Sequence, residues 1–227
     1  MNFNGNIYIP IRFPVDREML YPLWDAVELD LHYEYQYRRE VEQLNALSVG
    51  IGGGKGYSAR ALLQKPNLIP QYCRGDVLKH LKTVFCHEVF FNNLRPFYDG
   101  LEMPSGKFKD AICKGFGNYA GFLYEFKENA LRMQGSGFVW ALADSRSGEV
   151  LIDTTTGYEI PNARYHILFC LDMWEHAWIL RHRTSVSTYI DGFYHILNIG
   201  KISDEYEDWY EKRNKRQAKE SFKKTAF

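Results

Sequence analysis

The chain has 227 residues, 45% of them apolar and 25% charged, enough for one good core or for two small domains sharing an interface. Its 28 basic and 28 acidic residues cancel, which argues against nucleic acid as the partner of the whole chain, and no apolar run approaches the roughly 20 residues needed to span a bilayer. Cys73, Cys86, Cys113 and Cys170 lie far apart with no Cys-x-x-Cys pair, which excludes a zinc knuckle or redox dithiol and reads as free thiols in a reducing compartment.

Residues 1–19 carry Pro10 and Pro14 among apolar side chains and read as an extended arm. Met1 to Asn6 has neither a basic flank nor an apolar core, so no secretory signal is expected. A helix is predicted from near Leu20, with Pro22 in its first turn, to about Ala46. Leu23, Val27, Leu31, Tyr35, Val41 and Leu44 give it an apolar stripe. The glycine cluster 50–56 reads as a flexible connection. It fails the phosphate-loop motif, because Lys55 is followed by Gly56 and no glycine stands five positions before Gly54.

A second helix is predicted over Gly75 to Leu94, stopped by Pro96, with Val77, Leu81, Val84, Phe85, Phe91 and Leu94 inward. Gly100, Pro104 and Gly106 mark a boundary. Helices over Lys107–Phe116 and Tyr119–Arg132 follow, then a hairpin of 138–142 and 149–152, and a third strand, Tyr165 to Leu171, ending on Asp172. Helices over about Trp174–Arg183 and Ser187–Leu197 and a charged helix from Asp204 close the chain. The fold class is α+β: arm 1–19, helical hairpin 20–99, a C-terminal α+β domain 100–203 with a small antiparallel sheet, and a charged tail 204–227.

The chemistry concentrates where the apolar run Ile167–Leu171 delivers Asp172, with His176 four residues on. A buried carboxylate needs a partner, and either a core salt bridge or a cation would serve. His32 and His87 sit in apolar segments of the two long helices, and singly each reads as a hydrogen-bonded core histidine. Together with Asp172 and His176 they form an N/N/N/O set suited to a borderline transition metal.

The segment Asp172-Met173-Trp174-Glu175-His176-Ala177 resembles the D-x-W-E-H-A signature of the iron/manganese superoxide dismutases. His87 to Leu94, Gly135 to Trp140, and His32 with Glu40-Val41-Glu42-Gln43-Leu44-Asn45 beyond it extend the resemblance over roughly residues 20–200. The resemblance implies that family's three-stranded antiparallel sheet and one iron or manganese ion held by His32, His87, Asp172 and His176. The ion would alternate between trivalent and divalent states and convert superoxide to oxygen and hydrogen peroxide. It also implies that Trp140 and Trp174 wall the site, and that Glu175 crosses a two-fold axis to His176 of the partner subunit, in a homodimer or a heterodimer with a related chain.

Several outer positions depart from the family's pattern. Its gate tyrosine, eight residues after the first histidine, is Glu40 here, and the histidine between them is Gln36. Eight helical residues span about 12 Å, so Glu40 is expected at the entrance. Facing an anion at roughly 6 Å, at an effective dielectric near 20, it would cost about 3 kcal/mol. The family's metal-tuning glutamine falls on Thr83 or near Gly157 and Tyr158, none of which offers an amide. Ile179 replaces a tyrosine, and 184–187 replaces an N-R-R-P run. Losing such partners typically costs about 10- to 100-fold in metal affinity or activity. Weakened dismutation is therefore one expectation. The other is a structural subunit of a larger mitochondrial assembly, a ribosomal small subunit or respiratory complex, contacted through the arm and the basic run Lys212 to Lys219. The expected compartment is the mitochondrial matrix, otherwise the cytoplasm, without secretion.

Overall fold

The computed structural model describes residues 3–4, 7–48 and 59–225, so the predicted glycine connection at 50–56 lies outside the described residues. The arm opens with a short antiparallel pair, β1 (Phe3–Asn4) and β2 (Ile7–Tyr8), and ends in a 3-10 turn, Arg17–Leu20. It lies on the first long helix: the Ile11 N–H bonds the Tyr37 hydroxyl at 2.7 Å, and Asn45 Nδ2 donates to the Tyr8 carbonyl at 2.9 Å.

The first helix starts later than the sequence predicts. The Tyr21–Pro22 peptide is cis, and α1 (Ala26–Leu29) begins after Asp25, whose carboxylate accepts the N–H groups of Val27 and Glu28 at 2.9 and 3.0 Å. The chain then widens into a π-helical segment, Asp30–Arg38, before returning to α2 (Arg39–Ser48). That widening overturns half of the predicted stripe. Glu28, Leu29, His32, Tyr33 and Tyr37 are the buried positions, with Val41 and Leu44 after them, whereas Val27 is 63%, Leu31 37% and Tyr35 64% exposed. A four-residue spacing marks one face only while the turn holds 3.6 residues; in a wider turn the inward face passes to other positions.

Short α3 (Ala59–Gln64), which the sequence reading missed, and a 3-10 turn at Pro66–Leu68 lead into α4 (Arg74–Asn92). α4 runs through the centre of the molecule, with Val77, Leu81, Val84, Phe90 and Phe91 buried. α5 (Gly106–Phe116) turns through Gly117, at φ 79°, into α6 (Tyr119–Arg132), whose first turn is capped by Asn118 at 2.9 Å from Gly121 N.

The sheet has the order β4-β3-β5, all antiparallel: β3 (Gly137–Asp144), β4 (Val150–Thr156) and β5 (Tyr165–Asp172). β3 is buried along its whole length, and its Phe138 pairs with Asp172 at the end of β5. The single helix predicted over 174–183 is instead a 3-10 turn, Glu175–Ala177, followed by a one-turn α7 (Ile179–His182). The Asp172 carboxylate accepts the Trp174 N–H at 2.8 Å, a local bond that competes with helix initiation there. α8 (Val186–Ile196) follows, and α9 (Ile199–Thr225) begins five residues before the predicted Asp204. Its first turns bury Ile199, Ile202 and Tyr206, with Tyr206 against Phe108 of α5 at 5.4 Å, so this part is core rather than tail. In the basic run, Lys212 and Lys215 pair with Asp208 and Glu211 one turn back, and Arg213 caps the Ser145 and Arg146 carbonyls.

Candidate metal centre

Four separate elements deliver the predicted ligands to one place. The π-helical segment brings His32, the middle of α4 brings His87, the end of β5 brings Asp172, and the 3-10 turn after it brings His176. One donor atom from each lies within 4.8 Å of the others. Asp172 Oδ2 stands 3.2 Å from His32 Nε2, 3.3 Å from His176 Nε2 and 3.7 Å from His87 Nε2. His87 Nε2 and His176 Nε2 are 3.5 Å apart.

The surroundings prepare these atoms as donors. His87 gives its Nδ1–H to the Thr83 carbonyl one turn back, at 2.9 Å, which leaves the Nε2 lone pair facing inward. Burial lowers the pKa of His87 to about 3 and of His32 to about 4, so both rings are neutral at neutral pH, the form that ligates. Burial alone would raise the Asp172 carboxyl, but His176 and His32 outweigh it and hold the group far below the usual carboxylate range. Asp172 spends Oδ1 on the Trp174 N–H and keeps Oδ2 for the centre, while its backbone carbonyl accepts the Tyr189 hydroxyl at 2.8 Å. Three inward imidazole nitrogens and one ionised oxygen, in an apolar setting, fit an iron or manganese ion.

The walls differ in part from the predicted ones. Trp174 stacks on His176 at 6.0 Å and 17°, and its Nε1 is buried without a hydrogen-bond acceptor among the described residues. Trp140, the other predicted wall, donates its ring N–H to Thr155 Oγ1 at 2.9 Å. Its strand neighbour Phe138 presents a ring to His87 at 6.4 Å. Side chains alternate faces along a strand, and 138 and 140 share a face, so Trp140 stands one step behind.

Tyr158 is the residue whose placement sequence reasoning missed. Its ring stacks on Trp174 at 4.6 Å and 15° and meets His87 at 5.7 Å and Phe138 at 5.8 Å. Burial, then the charges of Asp172 and Glu40, push its phenol well above the ordinary tyrosine range. The sequence signal was present in Gly157-Tyr158, where a positive-φ glycine (58°) turns the chain after β4.

Of the remaining predicted positions, Thr83 contributes its carbonyl and turns its hydroxyl to Lys79 O at 3.2 Å. Gln36 is exposed. Glu40 is half-buried and accepts His80 Nδ1–H at 2.7 Å. Glu175 is exposed and accepts the Ser136 hydroxyl at 2.8 Å.

Comparison with known proteins finds related sequences. Residues 104–205 match the family model described as the C-terminal domain of iron/manganese superoxide dismutases. A superoxide dismutase [Mn/Fe] of Rickettsia prowazekii is 29% identical over 198 residues, covering 84% of this chain and 89% of that one. A superoxide dismutase [Fe] of Salmonella typhimurium is 28% identical over 82% of this chain and 91% of its own. A superoxide dismutase [Mn] of Listeria monocytogenes is 26% identical over 86% and 96%. The matched segment holds the sheet and the Asp172–His176 turn, while the similarity to the relatives extends well beyond it along the chain. Residues 104–205 thus carry the C-terminal domain of iron/manganese superoxide dismutases, and over more than four fifths of its length the chain is similar to members of that family.

Proposed function

We propose that the chain holds one iron or manganese ion through His32, His87, Asp172 and His176 and disproportionates superoxide to dioxygen and hydrogen peroxide. The observation that carries this reading is the convergence of the four donor atoms within 4.8 Å, drawn from four elements. When bound, the metal supplies a one-electron couple between its trivalent and divalent states. The protein's residues do the rest. Burial keeps His32 and His87 neutral, the Thr83 carbonyl fixes the His87 tautomer, and Phe138, Tyr158 and Trp174 exclude bulk water. Since no amide donor stands at Thr83 or Tyr158, turnover is expected to be slowed by about 10- to 100-fold relative to a site that has one.

The same reading includes a two-fold dimer. Val27, Leu31 and Tyr35 form an exposed stripe, and Ile179 and Leu180 are exposed beside it. Glu28 Oε1 accepts the Arg181 N–H at 2.7 Å and so joins the two segments into one face. An apolar face of this kind is suited to a second copy, with Glu175 as the bridge across the axis.

The test is metal content with rate. Elemental analysis should give one equivalent of iron plus manganese per chain, and stopped-flow decay of superoxide should accelerate in proportion to occupancy. A folded protein without either metal, or a fully loaded one that leaves superoxide decay at its spontaneous rate, overturns the reading.

A further inference from the structure

The metal centre leaves the basic run on α9 unused, and a pocket is built around part of it. One wall is the turn between β3 and β4, which is held from inside. The Asp144 carboxylate accepts the N–H groups of Arg146 and Ser147 at 2.6 and 3.1 Å and pairs with Arg164, while Gly148, at φ 79°, donates its N–H to the Asp144 carbonyl at 2.8 Å. α9 is hydrogen-bonded to that turn. Arg213 Nε donates to the Ser145 carbonyl at 3.1 Å, and the Arg146 carbonyl accepts both Arg213 and, at 2.9 Å, Gln217 Nε2. The cavity beside this junction has a volume of about 330 Å³, the lower end of the range for small-molecule sites.

Helical spacing supplies the other wall. Residues four apart share a helix face, so Trp209, Arg213 and Gln217 form one column of the lining and Lys212, Arg216 and Glu220 the next. With Arg146 from the turn, four cations border one cavity against one carboxylate, in a chain whose charges otherwise cancel. Little compensates them. Lys212 has Asp208 at 3.7 Å, Arg213 spends its donors on neutral carbonyl and amide oxygens, and Arg146 and Arg216 have no ion pair among the described residues. Cations gathered this closely repel one another, and a multivalent anion relieves the repulsion. Guanidinium groups match the oxygens of phosphate in pairs. The Trp209 ring is already stacked on His166 at 4.8 Å and 9°, with the Arg213 guanidinium 6.0 Å from its centre, which leaves recognition to charge instead of to stacking on an aromatic base.

This pocket is independent of the metal centre. Phe138, beside His87, and Asp144, at the turn, stand near opposite ends of β3, about 20 Å apart at the rise of a strand. We propose that the cavity between the β3–β4 turn and α9 binds a small ligand carrying a short chain of linked phosphates. Arg146, Lys212 and Arg216 hold the phosphate oxygens, and Arg213 positions the turn against the helix.

The experiment is titration calorimetry of the full chain with inorganic triphosphate at low salt, with circular dichroism matched across variants. Wild type should bind one equivalent, and added sodium chloride should weaken the binding. Arg146→Gln and Arg216→Gln should each weaken it about tenfold, the scale of one charge-assisted hydrogen bond, and Glu220→Gln should tighten it. Lys215→Gln removes the same charge from α9 outside the pocket and should leave affinity within about twofold of wild type. A wild type that takes up no triphosphate overturns the proposal. So do Arg146→Gln and Arg216→Gln proteins that bind like wild type, because the heat would then come from elsewhere, chelation of a metal included. An equal loss in Lys215→Gln would show a general charge effect, and citrate binding as tightly as triphosphate would show that phosphate is not what is recognised. A single-stranded RNA oligomer that binds far more tightly than triphosphate and loses affinity in Lys215→Gln would make the whole basic face a nucleic-acid contact, and the pocket would fall with that result.

Discussion

Tyr37 donates its hydroxyl hydrogen to Glu88 at 2.8 Å while accepting the backbone N–H of Ile11 at 2.7 Å. One phenol thus ties the N-terminal arm to the helix that carries His87, one residue before Glu88. Tyr8 adds a second hydroxyl to the same carboxylate at 2.9 Å, and burial pushes that carboxyl up to about 7 against the pull of both hydroxyls. Tyr37→Phe should therefore leave a buried carboxylate oxygen and a backbone N–H without this partner. The expected loss is about 2–3 kcal/mol of unfolding free energy, read from the urea midpoint at constant slope.

The ligand assignment predicts a clean loss of metal. Asp172→Asn keeps the volume of the side chain but removes its charge and presents an amide in place of one oxygen. Iron plus manganese content should fall about tenfold or more while the far-ultraviolet spectrum is retained. Unchanged content in the variant would remove Asp172 from the set.

The docking of α9 should depend on pH. His166 on β5 stacks on Trp209 of α9 at 4.8 Å and 9°, and burial, then the charge of Arg60, lowers its pKa to about 4. An unfolded histidine titrates near 6.5, so between about pH 6.5 and 4 the unfolded chain binds the extra proton. The contribution is present above pH 6.5 and is lost as pH falls toward 4, on the order of 2 kcal/mol. His166→Phe keeps a ring on Trp209 and should flatten that part of the stability–pH curve; an unaltered slope would assign it elsewhere.

The exposed stripe gives a prediction about assembly. A dimer of 26.6 kDa chains would have twice that mass, and Tyr35→Lys with Leu180→Asp should shift light scattering to the single-chain mass without unfolding the protein. A wild-type protein already at the single-chain mass would refute the two-fold arrangement.

Much of the centre was legible because its chemistry is rare in an apolar setting. Asp172 and His176 after the run Ile167–Leu171, and His32 and His87 within hydrophobic helices, stood out by residue type, and the structure brings all four together. β3, β5 and α4, α5, α6 and α8 were legible from period and punctuation to within about two residues, while β4 runs to Thr156, past the predicted end at 152. What failed was orientation. Val27, Leu31 and Tyr35 have the right spacing for a buried face, but the chain between Asp30 and Arg38 is not wound at the period that the spacing assumes. Tyr158 was weighed only as an amide donor it could not be, because ring stacking depends on a loop direction that no local pattern encodes. His80 was legible in principle, since it precedes His87 by seven residues and so shares its face of α4.

The wide winding at Asp30–Arg38 makes phase, rather than identity, a determinant of the pocket. A surplus residue advances everything beyond it by about 100° relative to regular winding. His32 lies within the irregular stretch and Glu40 lies just past it, so the two are held at an azimuth that eight ordinary helical steps would not produce. Excising one residue between them would bring the stretch back into step and rotate either the nitrogen donor or the glutamate off its mark. Chain length at this one place is therefore under tighter constraint than the composition of the same segment.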